Sequence, residues 1–96
     1  MAVNKTIPGR LYQLSYQYLG DIFQGRSTYV TMWDTHSCTI RSECVQRVKE
    51  GDTLLVLGHV RELVTHGDWW LHVLCNGAQG YVKKRWVRGL LMEVKS

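Results

Sequence analysis

The side chains best suited to chemistry are a histidine and two cysteines in the first half of the sequence. His36 and Cys38 stand two residues apart, and Cys44 follows shortly after them. Imidazole and thiolate groups bind zinc, but a structural zinc site usually needs two close pairs of ligands, and the sequence offers no second pair. We therefore predict no metal site and no bound cofactor.

The same residues could form a Cys–His arrangement for nucleophilic catalysis, with Asp34 nearby. No motif marks an oxyanion hole or the sharp turn that presents a nucleophile. The nine glycines stand singly, so a glycine-rich phosphate-binding loop is absent from the sequence. We predict that the protein is not an enzyme and that its three cysteines are reduced, small, buried side chains.

Aromatic and aliphatic side chains are concentrated in the segment WWLHVLC, residues 69–75. Strand alternation places Trp69 and every second residue after it on one face, and Trp70 and every second residue after it on the other. Both faces are mostly apolar, which a strand with one exposed face does not need. Something must therefore cover the face that carries Trp69.

Two explanations for that face stay open. Either the segment between Gly20 and Val48 packs over it, or it is an exposed surface that binds a partner protein or a second copy of the chain. In the second case the predicted partner-binding residues are Trp69, Leu71, Val73, Tyr81 and Trp86.

A basic turn follows, formed by Lys83, Lys84, Arg85 and Arg88 with Trp86 among them. Cations beside an aromatic plane can contact phosphates and stack on bases, or can bind an acidic peptide. Clustered cations are also common in turns that only face solvent. This turn is the predicted site for nucleic acid, if the protein binds one.

The elements that must position these residues are predicted to be short strands. Period-two alternation predicts a strand over 11–19, and Asn76-Gly77 predicts a hairpin with a type I′ turn. Gly51-Asp52 predicts a turn into the next apolar strand, and residues 42–50 are compatible with a helical turn or a strand. A single 3₁₀ turn is predicted over 84–86. The other predicted strands occupy residues 28–33, 38–41, 53–57 with a continuation to 64, 69–75, 80–83 and 88–94.

From Lys49 to Leu91 the sequence resembles the SH3 and bacterial SH3-like domains. The residues that carry the likeness are a Gly-Asp turn before an apolar strand, then GDWW, then Asn-Gly, then GYV followed by Trp86. The resemblance implies a small, strongly bent antiparallel β-barrel. It also implies an aromatic groove, which in that family often binds proline-rich peptides.

The groove positions implied by this resemblance are altered. Lys83 stands where the family has a proline and Trp86 where it has a tyrosine, so that Trp69 is the position that matches unaltered. Basic residues here would repel the basic residue of a proline-rich ligand. Residues 20–45 also replace the family's acidic loop and must hold additional strands.

Length and composition favour one domain. The chain has 96 residues, of which 45% are apolar, and we expect a leader over 1–10 and a single SH3-like domain over 11–96. Its net charge of +4 favours an acidic partner. We find no apolar run long enough to span a membrane and no signal-peptide core, so we expect a cytoplasmic location.

Together these features predict an all-β, SH3-like antiparallel barrel with an elaborated N-terminal half and one short helical turn. The expected function is non-catalytic binding of a protein partner through an aromatic surface. The alternative is nucleic-acid binding, by analogy with the use of small barrels in the KOW family.

Overall fold

A computed structural model describes residues 6–15, 29–37, 42–62, 68–87 and 89–94. Its elements are β1 (Leu11–Leu14), β2 (Tyr29–Trp33), β3 (Cys44–Lys49), β4 (Thr53–Arg61), β5 (Trp69–Cys75), β6 (Ala78–Lys83), α1 (Lys84–Val87) and β7 (Leu91–Glu93). The described residues are mostly antiparallel strands with almost no helix, which confirms the prediction of a small all-β barrel. No helix among them is long and apolar enough to cross a membrane.

The seven strands form one curled sheet in the order β3-β2-β6-β5-β4-β1-β7. The long strand β4 serves both halves of this sheet, because it pairs with β1 through its beginning and with β5 through the rest of its length. Its register with β5 shifts between Val56 and Gly58. A bulge of this kind bends a strand and increases its twist, so that one strand can follow the curl.

The core fills the concave side of the curled sheet. Its buried apolar residues come from every strand and from α1, and they are Tyr12, Leu14, Val30, Met32, Val48, Leu54, Val56, Leu71, Val73, Cys75, Val82, Val87, Leu90 and Leu91. The backbone N–H of Ile7 donates a hydrogen bond of 2.7 Å to the buried hydroxyl of Tyr12. This tyrosine can therefore be buried without leaving its hydroxyl unpaired.

Two predicted turns are confirmed. Asn76 and Gly77 both have positive φ, 52° and 81°, and they connect β5 to β6 as a type I′ turn requires. Gly51, with φ of 91°, lies in the turn between β3 and β4. Only glycine adopts this conformation without steric cost, which is why such positions can be recognised in a sequence.

The helical turn considered for residues 42–50 is wrong. Residues 44–49 form β3, which pairs with β2 from Tyr29 opposite Lys49 to Trp33 opposite Cys44. Val48 is the single buried residue of this strand, so buried and exposed positions do not alternate along it. Pairing with a distant strand decides the conformation here, because the local pattern fits both alternatives.

Other element boundaries also moved. The first strand ends at Leu14, and residues 16–19 of the predicted strand lie outside the described residues. The predicted strand over 38–41 lies outside them as well. The turn after β6 is α-helical over Lys84–Val87 rather than 3₁₀, and the last strand begins at Leu91.

Candidate functional site

Leu71 and Val73 of β5 belong to the core. Both side chains are fully buried, so their predicted place on an exposed binding surface is wrong. They face the concave side, where Val30, Met32 and Val48 share the same buried cluster. Membership of the same cluster favours the explanation that the segment between Gly20 and Val48 covers this face at the middle of β5.

Trp69 lies on the same side of β5 as Leu71 but at the very start of the strand. It has an exposed fraction of 44%, the largest of any described tryptophan. Trp69 pairs with Arg61, the last residue of β4. The Arg61 Cζ atom lies 5.1 Å from the centre of the Trp69 ring, which is a cation–π distance.

Trp70 has the opposite environment. Its exposed fraction is 0%, and it lies outside the main core cluster, on the other face of the sheet. Trp86 of α1 packs edge-on against it, with ring centres 5.7 Å apart and an angle of 71° between the rings. Trp86, predicted as a contact residue for a partner, is thus partly buried and serves first to cover Trp70.

Lys83 is buried beneath these two indoles. Its Nζ atom lies 5.5 Å from the centre of the Trp70 ring and 5.2 Å from that of Trp86. The same atom lies 3.4 Å from Asp68 Oδ2 and 3.8 Å from Glu62 Oε1. A buried cation needs such partners, because desolvation is costly for an unpaired charge.

The prediction that Lys83 is a phosphate contact is therefore wrong, since its exposed fraction is only 8%. The neighbouring cations differ from it. Arg85 is exposed and lies 3.6 Å from Asp68 Oδ2 through its Nη2 atom, while Lys84 is partly buried. Arg88 lies outside the described residues.

Tyr81 stands in a row of three aromatic rings on the outer face. It stacks on His72 with ring centres 4.7 Å apart and contacts His36 at 5.1 Å. His36 Nδ1 lies 2.7 Å from the backbone carbonyl of Arg61, which accepts the hydrogen bond. Tyr81, predicted as a contact residue, is therefore partly covered, and His36 ties the turn after β2 to the end of β4.

The cysteines do not behave alike. Cys75 is buried, and burial raises the pKa of its thiol, with a smaller contribution from the charge of Asp52. Cys44 is exposed at the start of the edge strand β3, so the prediction that it is buried is wrong. Cys38 lies outside the described residues, among which no group of three His, Cys, Asp or Glu side chains could hold a metal ion.

We call three exposed side chains at this end of the sheet, Arg61, Trp69 and Arg85, the Trp69 rim. Arg61 contacts the indole, whereas Arg85 contacts Asp68, the residue before it. Arg61, Glu62 and Asp68 were not singled out in the sequence, because their relation to Trp69 depends on the pairing of β4 with β5. The Glu62 N–H donates to the Asp68 carbonyl at 2.9 Å and closes this end of the strand pair. The one sequence feature that could have drawn attention to them is the presence of charged residues next to the ends of apolar strands.

Comparison with known proteins found no matching family model, no matching curated protein and no matching solved structure. The function of the Trp69 rim therefore has to be inferred from its own geometry.

Proposed function

We propose that the protein is a non-catalytic, SH3-like binding module that engages a protein partner through the Trp69 rim. The observation that carries this proposal is the contrast between two adjacent tryptophans. Trp70 is fully buried, whereas Trp69 keeps 44% of its surface exposed beside a stacked arginine. Tryptophan and arginine are the residue types most enriched among those that dominate binding energy at protein interfaces.

The SH3-like part of the proposal is supported by features that lie in the expected order along the chain. A turn with Gly51 at positive φ leads into β4, the Asn-Gly hairpin joins β5 to β6, and a helical turn follows β6. These elements belong to one strongly curled antiparallel sheet. Trp69, the groove position that the family resemblance matches, is exposed.

A proline-rich peptide is not the ligand that we propose. The position of the family's groove proline is Lys83, which lies below two indoles and between two carboxylates. A groove for proline-rich ligands needs flat, accessible aromatic walls. Here Trp70 and much of Trp86 are used to cover Lys83 instead, which leaves Trp69 as the accessible indole at this end.

The proposal is tested with Trp69→Ala and a matched control, Leu11→Ala. Leu11 is a similarly exposed side chain on β1, opposite Leu55, whereas Trp69 lies opposite Arg61, about 20 Å further along β4 at the rise of a strand. Partner capture from the native host, read by mass spectrometry, should be lost in Trp69→Ala and kept in Leu11→Ala. Both variants should keep the wild-type melting temperature. Equal capture by all three proteins would contradict the proposal.

The nucleic-acid alternative is tested separately by gel shift at low and at moderate salt. We expect no shift, because burial of Lys83 leaves Lys84 and Arg85 as the described cations of the basic turn, too few to follow a phosphate backbone. Binding that falls steeply with salt, and that is lost when Lys84 and Arg85 are replaced by alanine, would favour nucleic acid over a protein partner.

A further inference from the structure

We infer that the Trp69 rim selects an acidic peptide segment, in which a carboxylate stands next to an apolar side chain. This inference rests on the proposed function, because it names the chemical class of the partner that the same rim binds. It reverses the preference of the family that the sequence resembles, whose proline-rich ligands carry a basic residue.

The first argument is that two exposed guanidinium groups lie at the end of the sheet that carries the exposed indole. Arg61 lies over the Trp69 ring at 5.1 Å. Arg85 lies 3.6 Å from the carboxylate of Asp68, the residue directly before Trp69. Both arginines are exposed. A guanidinium presents parallel N–H donors that match a carboxylate, so an acidic side chain beside the indole meets Arg61, and a second one further along the peptide meets Arg85.

The second argument is that the carboxylates of Glu62 and Asp68 already have a buried cation as their partner. The Lys83 Nζ atom lies between Glu62 and Asp68, at 3.8 Å and 3.4 Å. Glu62 is buried and does not face a ligand. In the described part of this end, four Lys and Arg side chains stand beside these two carboxylates, and the two of them that are exposed are Arg61 and Arg85.

The third argument concerns the contact between Arg85 and Asp68. At 3.6 Å it is longer than a good charge-assisted hydrogen bond, and the Arg85 side chain is mostly exposed. Asp68 keeps Lys83 as a second partner at 3.4 Å. A ligand carboxylate can therefore recruit Arg85 without leaving Asp68 unpaired.

A peptide fits this arrangement better than a nucleic acid. Proteins that bind single strands place cations along a groove and stack successive bases on several aromatic side chains. Here a single described cation, Arg61, lies over the exposed indole, and the other exposed cation, Arg85, lies beside the carboxylate of Asp68. An apolar side chain can cover the free surface of Trp69 while one or two ligand carboxylates meet the arginines.

The experiment is selection of short random peptides displayed on phage against three forms of the full chain. These are the wild type, Trp69→Ala, and a charge-reversed double variant, Arg61→Glu with Arg85→Glu. The wild type should enrich peptides with Asp or Glu next to an apolar residue. The Trp69→Ala protein should enrich none above background, and the charge-reversed protein should lose the acidic preference.

A milder double variant, Arg61→Gln with Arg85→Gln, guards against misfolding. It should keep the wild-type melting temperature and bind a selected acidic peptide more weakly, by roughly fivefold for each exposed ion pair lost. Fluorescence polarisation of the labelled peptide measures this change.

Two results would contradict the inference, and only the second would also contradict the proposed function. Enrichment that depends on Trp69 but shows no acidic preference, or that is unchanged by charge reversal, would contradict the acidic ligand and leave the binding function standing. Absence of any enrichment that depends on Trp69 would contradict both. A mixed-sequence oligonucleotide that displaces the selected peptides and binds the rim more tightly would identify nucleic acid as the ligand class.

Discussion

Two adjacent residues of β5, Trp69 and Trp70, have opposite environments. Trp69 and Trp70 differ in exposure because alternation turns the second indole toward the outer face, where Trp86 covers it, while the first projects beyond the core. Arg61 stabilises the exposed ring by stacking on it. Trp70 is thus part of the packing at this end, and Trp69 is the indole that stays exposed.

Replacing Trp70 by alanine should destabilise the protein by about 3–5 kcal/mol, as expected for deletion of a fully buried aromatic side chain. Loss of this indole also removes a contact of Lys83 and the packing surface of Trp86. Urea denaturation of Trp70→Ala beside Trp69→Ala measures the difference. If the two variants lost equal stability, the assignment of Trp69 to the surface would be wrong.

Replacing Lys83 by methionine should cost about 3 kcal/mol, the lower end of the range for breaking a buried ion pair, because Asp68 is partly exposed. Methionine keeps an apolar stem between the two indoles, so the loss reports the charge. The same denaturation experiment on Lys84→Met, one residue further along, provides the control and should show little change.

Adding Glu62→Leu to Lys83→Met should restore much of the lost stability, since a well-packed apolar pair often replaces a buried ion pair without loss. A Lys83→Met protein as stable as the wild type would mean that the ion pairs at this end contribute nothing to folding.

At the scale of elements, the strand pair β2–β3 joins the rest of the sheet through a short pairing between β2 and β6. β2 pairs with β6 through Trp33 and Tyr81, and Gly80 stands next to this contact on the core side. A Cβ atom at Gly80 would lie 2.6 Å from Met32 Cγ and 2.9 Å from the Trp33 carbonyl oxygen. The absence of a side chain is what lets β2 approach β6 here.

Gly80→Ala should therefore destabilise the protein by about 1–3 kcal/mol through overpacking, because a backbone oxygen cannot move aside as a flexible side chain can. The matched control is Gly58→Ala in β4, where no heavy atom of the described residues lies within 4 Å of the added Cβ. Thermal melts of both variants should show a lower melting temperature for the first alone. An unchanged melting temperature for Gly80→Ala would contradict the close approach of β2 and β6.

The elements that could be predicted from the sequence are those whose causes are local. Asn76-Gly77 and Gly51 require positive φ, and that requirement is visible in the residue types themselves. The strand β3 could not be distinguished from a helical turn, because CVQRVK fits either pattern until it pairs with β2. Likewise, both faces of β5 are apolar, and the direction in which the sheet curls decides which of them is the core.

The same limit applies to the candidate site. The exposure of Trp69 could be predicted from the sequence because the motif GDWW resembles a known groove. The burial of Lys83 could not, since its partners Glu62 and Asp68 come from the other side of a hairpin and reach it only through the pairing of β4, β5 and β6. The basic turn that looked continuous in sequence is therefore divided between a buried lysine and an exposed arginine.

At the scale of the whole molecule, the curled sheet brings the exposed indole and two exposed guanidinium groups to one end. β4 ends at Arg61, which pairs with Trp69 at the start of β5. The helix α1, which carries Arg85, follows β6 at the same end. The net charge of +4 adds a general attraction toward acidic partners, and in our proposal the rim supplies the local recognition.

The most direct measurement of the proposed role is site-specific photocrosslinking. Benzoylphenylalanine is placed at position 69, where it keeps an aromatic ring, and in a second protein at position 11, on β1 far from the rim. In cells that naturally produce the protein, illumination should yield a discrete adduct with a partner protein from position 69 and none from position 11. Adducts that are identical for both positions, or absent at position 69, would contradict a binding role for the Trp69 rim.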